Sequence, residues 1–254
     1  MDEMLWSFSR LNSFYNCQYE WKKVYLEGDR GENGFFGEFG GFCHKILEKC
    51  EKNELSIWDA PDYYCEHFGE EVVHEAPPNK FTDIRQAYYD KGLEYFETFD
   101  LELEKYEILG VERQVDFEVK GHPFIGYIDL LLKDKETGAI IILDHKSGTL
   151  KLLKNGNVSK SEHEHYMEFK RQLYLYSIPI IQEYGKVDYL RWNLFKQGDI
   201  LTIPWKEEEY REAISWATET IKMIEAEKNW YPNPDQFYCN YLCSQRTNSC
   251  PYKP

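Results

Sequence analysis

The sequence predicts an α/β fold, a small mixed β-sheet with helices packed around it. Three observations carry this prediction. Apolar residues recur at helical spacing over about residues 36–50, as Phe36, Phe39, Phe42, Cys43, Ile46, Leu47 and Cys50. From residue 108 the texture changes to alternating apolar and polar positions, in ILGVERQVDFEVK. The run AIIILDHKSG is apolar enough for a central strand covered on both faces.

The elements follow in chain order. Residues 5–27 read as a helical segment, and 28–34 as a polar, Gly-rich loop before the 36–50 helix. Residues 57–75 and 82–99 also read as helices, separated by Pro77–Pro78. The strand that opens at 108 turns at GHPF into FIGYIDLLLK, which turns at KDKETG into AIIILDHKSG. A polar loop over 151–163 leads to a helix over about 164–184, in which Pro179 predicts a bend. Strands over 187–195 and 199–204 meet at Gln197–Gly198, an amphipathic helix covers 206–228, and the tail is irregular and Cys-rich. There is no internal repeat or low-complexity linker, and 254 residues suffice for one full core.

Composition narrows the function classes. Apolar residues make up 42% and charged residues 30%, as in ordinary globular proteins. No apolar run approaches the length of about 18 residues that a membrane span needs. The N-terminal MDEMLWSFSR begins acidic and lacks the basic-then-apolar order of a signal peptide, so the expectation is a cytoplasmic protein. A net charge of −15 argues against indiscriminate nucleic-acid binding. Charge is uneven, however: Lys146, Lys151, Lys154 and Lys160 lie in a stretch without acids, either a basic strip that could receive phosphates or a solvated loop. The seven cysteines are an odd number without a secretion signal, which points away from a disulfide framework. Three of them crowd into FYCNYLCSQRTNSCPY, as metal or cluster ligands do.

The chemistry lies in two adjacent strands. Asp129 ends the apolar run GYI, and Asp144 and Lys146 end IIIL in the next strand. Positions i and i+2 of a strand share a face, so Asp144 and Lys146 point the same way. A short turn joins the strands, which brings Asp129 and Asp144 close enough to share a hard cation such as Mg²⁺ or Mn²⁺. A lysine beside that ion can polarise water and offset phosphorane charge. Carboxylates at the ends of apolar strands are costly to bury unless they serve a metal or each other. The bland alternative is a salt-bridged strand end. His145, between the two, points to the opposite face and reads as structural.

At GYIDLL and D-H-K-S-G, with fourteen residues between Asp129 and Asp144, the chain resembles the core of the PD-(D/E)xK nucleases, in their RecB-like branch. Further segments match in order. Gly37…His44…Leu47-Glu48 resembles a helix whose His is a metal ligand, RQLYLYS resembles the Q-x-x-x-Y motif, and Glu112 in VERQVDF matches an acidic position. The resemblance implies that His44, Asp129, Asp144, the His145 backbone carbonyl and, more weakly, Glu112 hold Mn²⁺ or Mg²⁺. Gln172 and Tyr176 would orient Lys146 or touch DNA, with Lys151, Lys154, Lys160 and Arg171 as candidate phosphate contacts. The alternatives for these residues are a solvated His44, an exposed Glu112 and a polar helix edge at Gln172 and Tyr176.

Some RecB-like nucleases, among them CRISPR-associated exonucleases, hold an iron–sulfur cluster with one cysteine before the core and three after it. Cys17 in SFYNCQYEWKKVYL, with Cys239, Cys243 and Cys250, is similar, which implies a [4Fe–4S] cluster joining the termini. The spacing departs from the more common pattern: three residues, not two, separate Cys239 from Cys243. Zn²⁺ on the same thiolates is the rival. Cys43, Cys50 and Cys65 read as small apolar core residues. The implied organisation is a single RecB-like domain over 1–254, with a cluster-binding part (1–30 and 229–254), a helical wall (31–107) and a nuclease core (108–205). The implied activity is metal-dependent hydrolysis of DNA from its ends, with single strands preferred and some aromatics stacking on bases. A non-catalytic binding subunit, an endonuclease and an RNA-acting enzyme stay open. So does a protein partner from a repair, CRISPR or phage replication and recombination system; a membrane partner is not expected.

Overall fold

A computed structural model describes residues 4–247 and 250–253. Among these residues seven α-helices and five strands run in the order α1 (Phe8–Asn16), α2 (Gln18–Tyr25), α3 (Phe35–Glu51), α4 (Ala60–Glu71), α5 (Ile84–Thr98), β1 (Tyr106–Val119), β2 (His122–Asp134), β3 (Ile140–His145), α6 (His163–Tyr184), β4 (Tyr189–Leu194), β5 (Asp199–Pro204) and α7 (Glu207–Ala226). The strands form one mixed sheet in sequential order. Only β3 and β4 pair in parallel, because α6 crosses over between them; the other neighbours are antiparallel.

One departure from the expected elements has a local cause. The N-terminal helical segment breaks at Cys17, whose extended backbone (φ −161°, ψ 114°) ends α1 and starts α2. Ser7 caps α1 by accepting from the Arg10 N–H at 3.2 Å. α6 carries Pro179 inside it and still runs to Tyr184, where Gly185 (φ 77°) closes the helix in the left-handed region.

Helices α1, α6 and α7 share one core with β1–β4, including Leu11, Phe14, Ile128, Ile142, Leu173, Trp192 and Ile221. Helices α3, α4 and α5 form a second core around Phe39, Phe42, Tyr64 and Phe96. Leu130, Leu132, Ile141 and Leu143 make a small third cluster. Along β3 the side chains therefore alternate: Ile140 and Ile142 enter the main core, Ile141 and Leu143 the third cluster. That alternation continues into the residues that follow and sorts Asp144 from His145.

Candidate metal and catalytic site

The site begins where β2 and β3 separate. Their last paired residues toward this end are Leu130 and Leu143, so Asp129 and Asp144 occupy the next positions outward. The gap is bridged by a side chain: Asp129 Oδ2 accepts the His145 backbone N–H at 2.7 Å. Asp144 is buried at 3% exposure. Its Oδ1 accepts from Gln172 Nε2 at 3.0 Å, and Gln172 Oε1 accepts from Lys146 Nζ at 2.7 Å. Lys146 Nζ also lies 2.8 Å from Asp144 Oδ2. That oxygen has no aligned hydrogen-bond donor among the described residues, so the lysine balances its charge without filling its lone pairs. Asp144, Lys146 and Gln172 thus form a closed triangle whose third corner comes from α6.

A second group adjoins it. Ligand atoms of His44, Glu112 and Asp129 lie within 4.8 Å of one another, from α3, β1 and β2 respectively. Two carboxylate oxygens and an imidazole nitrogen suit Mn²⁺ or Mg²⁺, and octahedral bonds of about 2.1 Å place trans ligands about 4.2 Å apart. The donor set and its spread therefore fit a hard divalent ion. Glu112 reaches the group from a strained backbone: its φ is +47°, in the left-handed region, opposite Asp129 between the pairs Val111–Leu130 and Arg113–Ile128. Such strain persists where surrounding structure imposes it, and it gathers at functional sites.

Electrostatics agree with a cation site. Burial, and next the Asp144 charge, push the Asp129 carboxyl up to about 7. Burial and then Glu48 raise Glu112 as well. Burial, with the nearby His145 and Lys146 charges, pulls His44 down to about 3, so it offers a neutral imidazole at physiological pH. Its Nδ1 lies 3.6 Å from Asp129 Oδ2.

His145 points away, as strand alternation requires. Its Nε2 meets Glu51 Oε1 at 2.7 Å, its Nδ1 lies 2.9 Å from Asn193 Nδ2, and Asn193 donates to Tyr95 OH at 2.7 Å. Burial alone would lower the pKa of this imidazole, but the Glu51 charge and hydrogen bond, with Asp129 and Asp144, raise it. Glu51 and Asn193 are thus parts of the site's support that sequence reasoning missed. The signal for Glu51 was present: an acid one turn beyond Leu47, at the end of an apolar helix stripe.

Tyr176 is buried against β2. A Cβ on Gly126 would lie 2.4 Å from Tyr176 Cε1, so the glycine of G-Y-I-D gives the ring its seat. Burial, then Asp144, raises the phenol, opposed by hydrogen bonding to Gln172 and the Tyr127 backbone. Lys151, Lys154 and Lys160 are exposed on the loop after β3. Arg171, expected as a phosphate contact, forms a two-pronged pair with Glu212 (Nε–Oε1 3.0 Å) and stacks on Trp216 at 5.0 Å. Cys65 departs from the core position expected of it, since it is exposed and accepts from Tyr89 OH at 3.2 Å, whereas Cys43 and Cys50 are core residues.

Cys17, Cys239, Cys243 and Cys250 line one pocket between the two ends of the chain. Glu20 anchors the tail there, accepting from Tyr238 OH at 2.6 Å, the Ser244 N–H at 2.7 Å and Ser244 Oγ at 2.8 Å. Burial and then Glu20 push the Cys243 thiol up to about 12. Metal charge is what would offset that cost and make four thiolates compatible with the pocket.

Among solved structures, the chain is similar to that of a candidate exonuclease from Eubacterium rectale, at 15% identity and a TM-score of 0.57, covering 98% of this chain and 90% of that one. The structure of SSO0001 is 15% identical over 76% of this chain and 96% of that one, at a TM-score of only 0.31. No curated protein matches by sequence. The model of the PD-(D/E)XK nuclease superfamily matches residues 5–254. A match over that span, on a mixed five-stranded sheet with this array of carboxylates, histidine and lysine, means that the chain belongs to the PD-(D/E)XK nuclease superfamily.

Proposed function

We propose that the protein is a Mn²⁺- or Mg²⁺-dependent DNA exonuclease acting on free ends, with single strands preferred. The observation that carries this reading is the meeting of two residue groups from five elements: His44, Glu112 and Asp129, and beside them Asp144, Lys146 and Gln172. His44, Asp129, Asp144, Glu112 and the His145 backbone carbonyl would hold the ion. When bound, the ion supplies Lewis-acid activation of water and neutralises charge on the phosphate. Lys146 meets the same developing charge and orients the water, and Gln172 holds Lys146 against Asp144. Tyr176 fixes Gln172 from behind. The imidazole donor of His44 favours Mn²⁺ over Mg²⁺.

The four cysteines are assigned to a [4Fe–4S] cluster that pins 229–254 to 1–30, beside a helical wall over 31–107 and a core over 108–205. The common pocket of Cys17 with the three tail cysteines supports that assignment. A broad visible absorbance band in anaerobically purified protein, lost in Cys17→Ala, is the expected result; colourless protein with four thiolates on Zn²⁺ would contradict it. Paired linear and covalently closed circular DNA test the exonuclease reading. Linear DNA should be degraded with Mn²⁺ and the circle should persist; nicking or linearisation of the circle means an endonuclease.

A further inference from the structure

One residue beyond Lys146 the surface changes character. Ser147 and Gly148 line an open pocket together with Phe36, Tyr88, Lys196, Phe237 and Leu242. Phe237 is 50% and Leu242 45% exposed, both large for apolar side chains facing solvent. The rings are mutually braced: Phe36 lies 5.3 Å from Tyr88 and 5.9 Å from Phe237, centroid to centroid. Phe237 packs in turn on Tyr241 at 5.4 Å. Lys196 stands over Tyr88 at 4.4 Å and donates to its hydroxyl at 2.9 Å, so its cation is held by an aromatic ring and a phenol. In a chain of net charge −15, a cation kept in the lining of an aromatic pocket beside the candidate catalytic lysine is complementary to a phosphate next to a planar ring.

We propose that this pocket receives an unpaired nucleobase of the strand whose phosphate lies at Asp144 and Lys146, with Lys196 meeting an adjoining phosphate. The proposal rests on the nuclease reading and deepens it, since it names the feature by which a single strand is preferred. Every base has a π-face that can stack on Phe36, Tyr88 or Phe237, so the pocket selects for the unstacked state and not for sequence. A base inside a duplex cannot enter without leaving its stack, which disfavours intact duplex. Two of its lining residues, Phe237 and Leu242, come from the C-terminal segment that Glu20 and the cysteine pocket hold in place.

The test is an abasic scan. Short single-stranded DNA carrying one abasic site, moved nucleotide by nucleotide, is cleaved by the wild-type holoenzyme with Mn²⁺. One position near the cleaved bond should raise KM about tenfold with kcat little changed, the loss expected for one stacked base. Phe237→Ala should raise KM on intact DNA by a similar factor and lose its sensitivity to that abasic position, while Phe237→Trp should keep it. A structural role for Phe237 would not produce that cancellation. Uniform KM across the scan, or unchanged abasic sensitivity in Phe237→Ala, overturns the pocket. Fluorescence anisotropy with Ca²⁺ in place of Mn²⁺ separates the two readings. Abasic-sensitive binding without cleavage retains the pocket and sinks the exonuclease; cleavage without abasic sensitivity does the reverse.

Discussion

Asp129 faces two opposed demands. It accepts the His145 N–H, which favours the carboxylate, yet burial and Asp144 push it up to about 7. A divalent ion and a proton therefore compete for it. With the pKa raised, the group is protonated below about 7 and must lose its proton to bind metal. Mn²⁺ affinity should thus climb between pH 6 and pH 8, by up to about tenfold per unit on the acid side, and level off above. Calorimetry at the two values should show about one proton released per ion at pH 6. Affinity that is flat with pH would remove Asp129 from the ligand set. His44 adds no pH dependence in this range, because it is held down at about 3. Asp129 and Asp144 were legible in the sequence because each directly follows an apolar run, where an unexplained charge is expensive, and Lys146 because it shares the face of Asp144 two residues on. Glu51 left only a partial signal, at the end of the α3 stripe, and Asn193 and Tyr95 left none, since they join it only when α3, α5 and β4 meet behind β3.

At the scale of elements, α6 and α3 do the positioning. α6 carries Gln172 and Tyr176 four residues apart on one face, which is a periodicity that sequence alone exposes. It also carries Arg171, whose engagement with Glu212 depended on the placement of α7 and could not be read from spacing. α3 presents His44 to the site and Glu51 to the support behind it. The break between α1 and α2 was hidden because helical spacing continues through Cys17, while the extended backbone there belongs to the pocket it shares with the tail. Glu20, at the start of α2, ties that pocket shut through three hydrogen bonds to the C-terminal segment. Glu20→Ala should lower stability by about 2 kcal/mol, because three partly buried hydrogen bonds lose their charged acceptor. Limited proteolysis should then cut within 229–254 before the core. A tail that stays protected in the variant would show that other contacts hold it.

Across the whole molecule, the mixed sheet and the helices around it were legible from texture, since alternation, helical spacing and Gly or Pro breaks agreed with one another, whereas the order of the strands was not. The division into separate cores was not, because nothing in α3–α5 marks which stripe meets which neighbour. On the proposed reading, the net charge of −15 leaves no broad basic face to grip DNA, so the grip would come from the ion, Lys146 and a few local contacts. The account therefore stands on the carboxylate that joins the ion to the lysine. The most direct test is Mn²⁺-dependent release of nucleotides from end-labelled single-stranded DNA by wild type and Asp144→Ala, with thermal unfolding measured on both. The account predicts a fall in rate of at least about a hundredfold in a variant that still folds cooperatively. A folded Asp144→Ala protein that degrades DNA at the wild-type rate would contradict it.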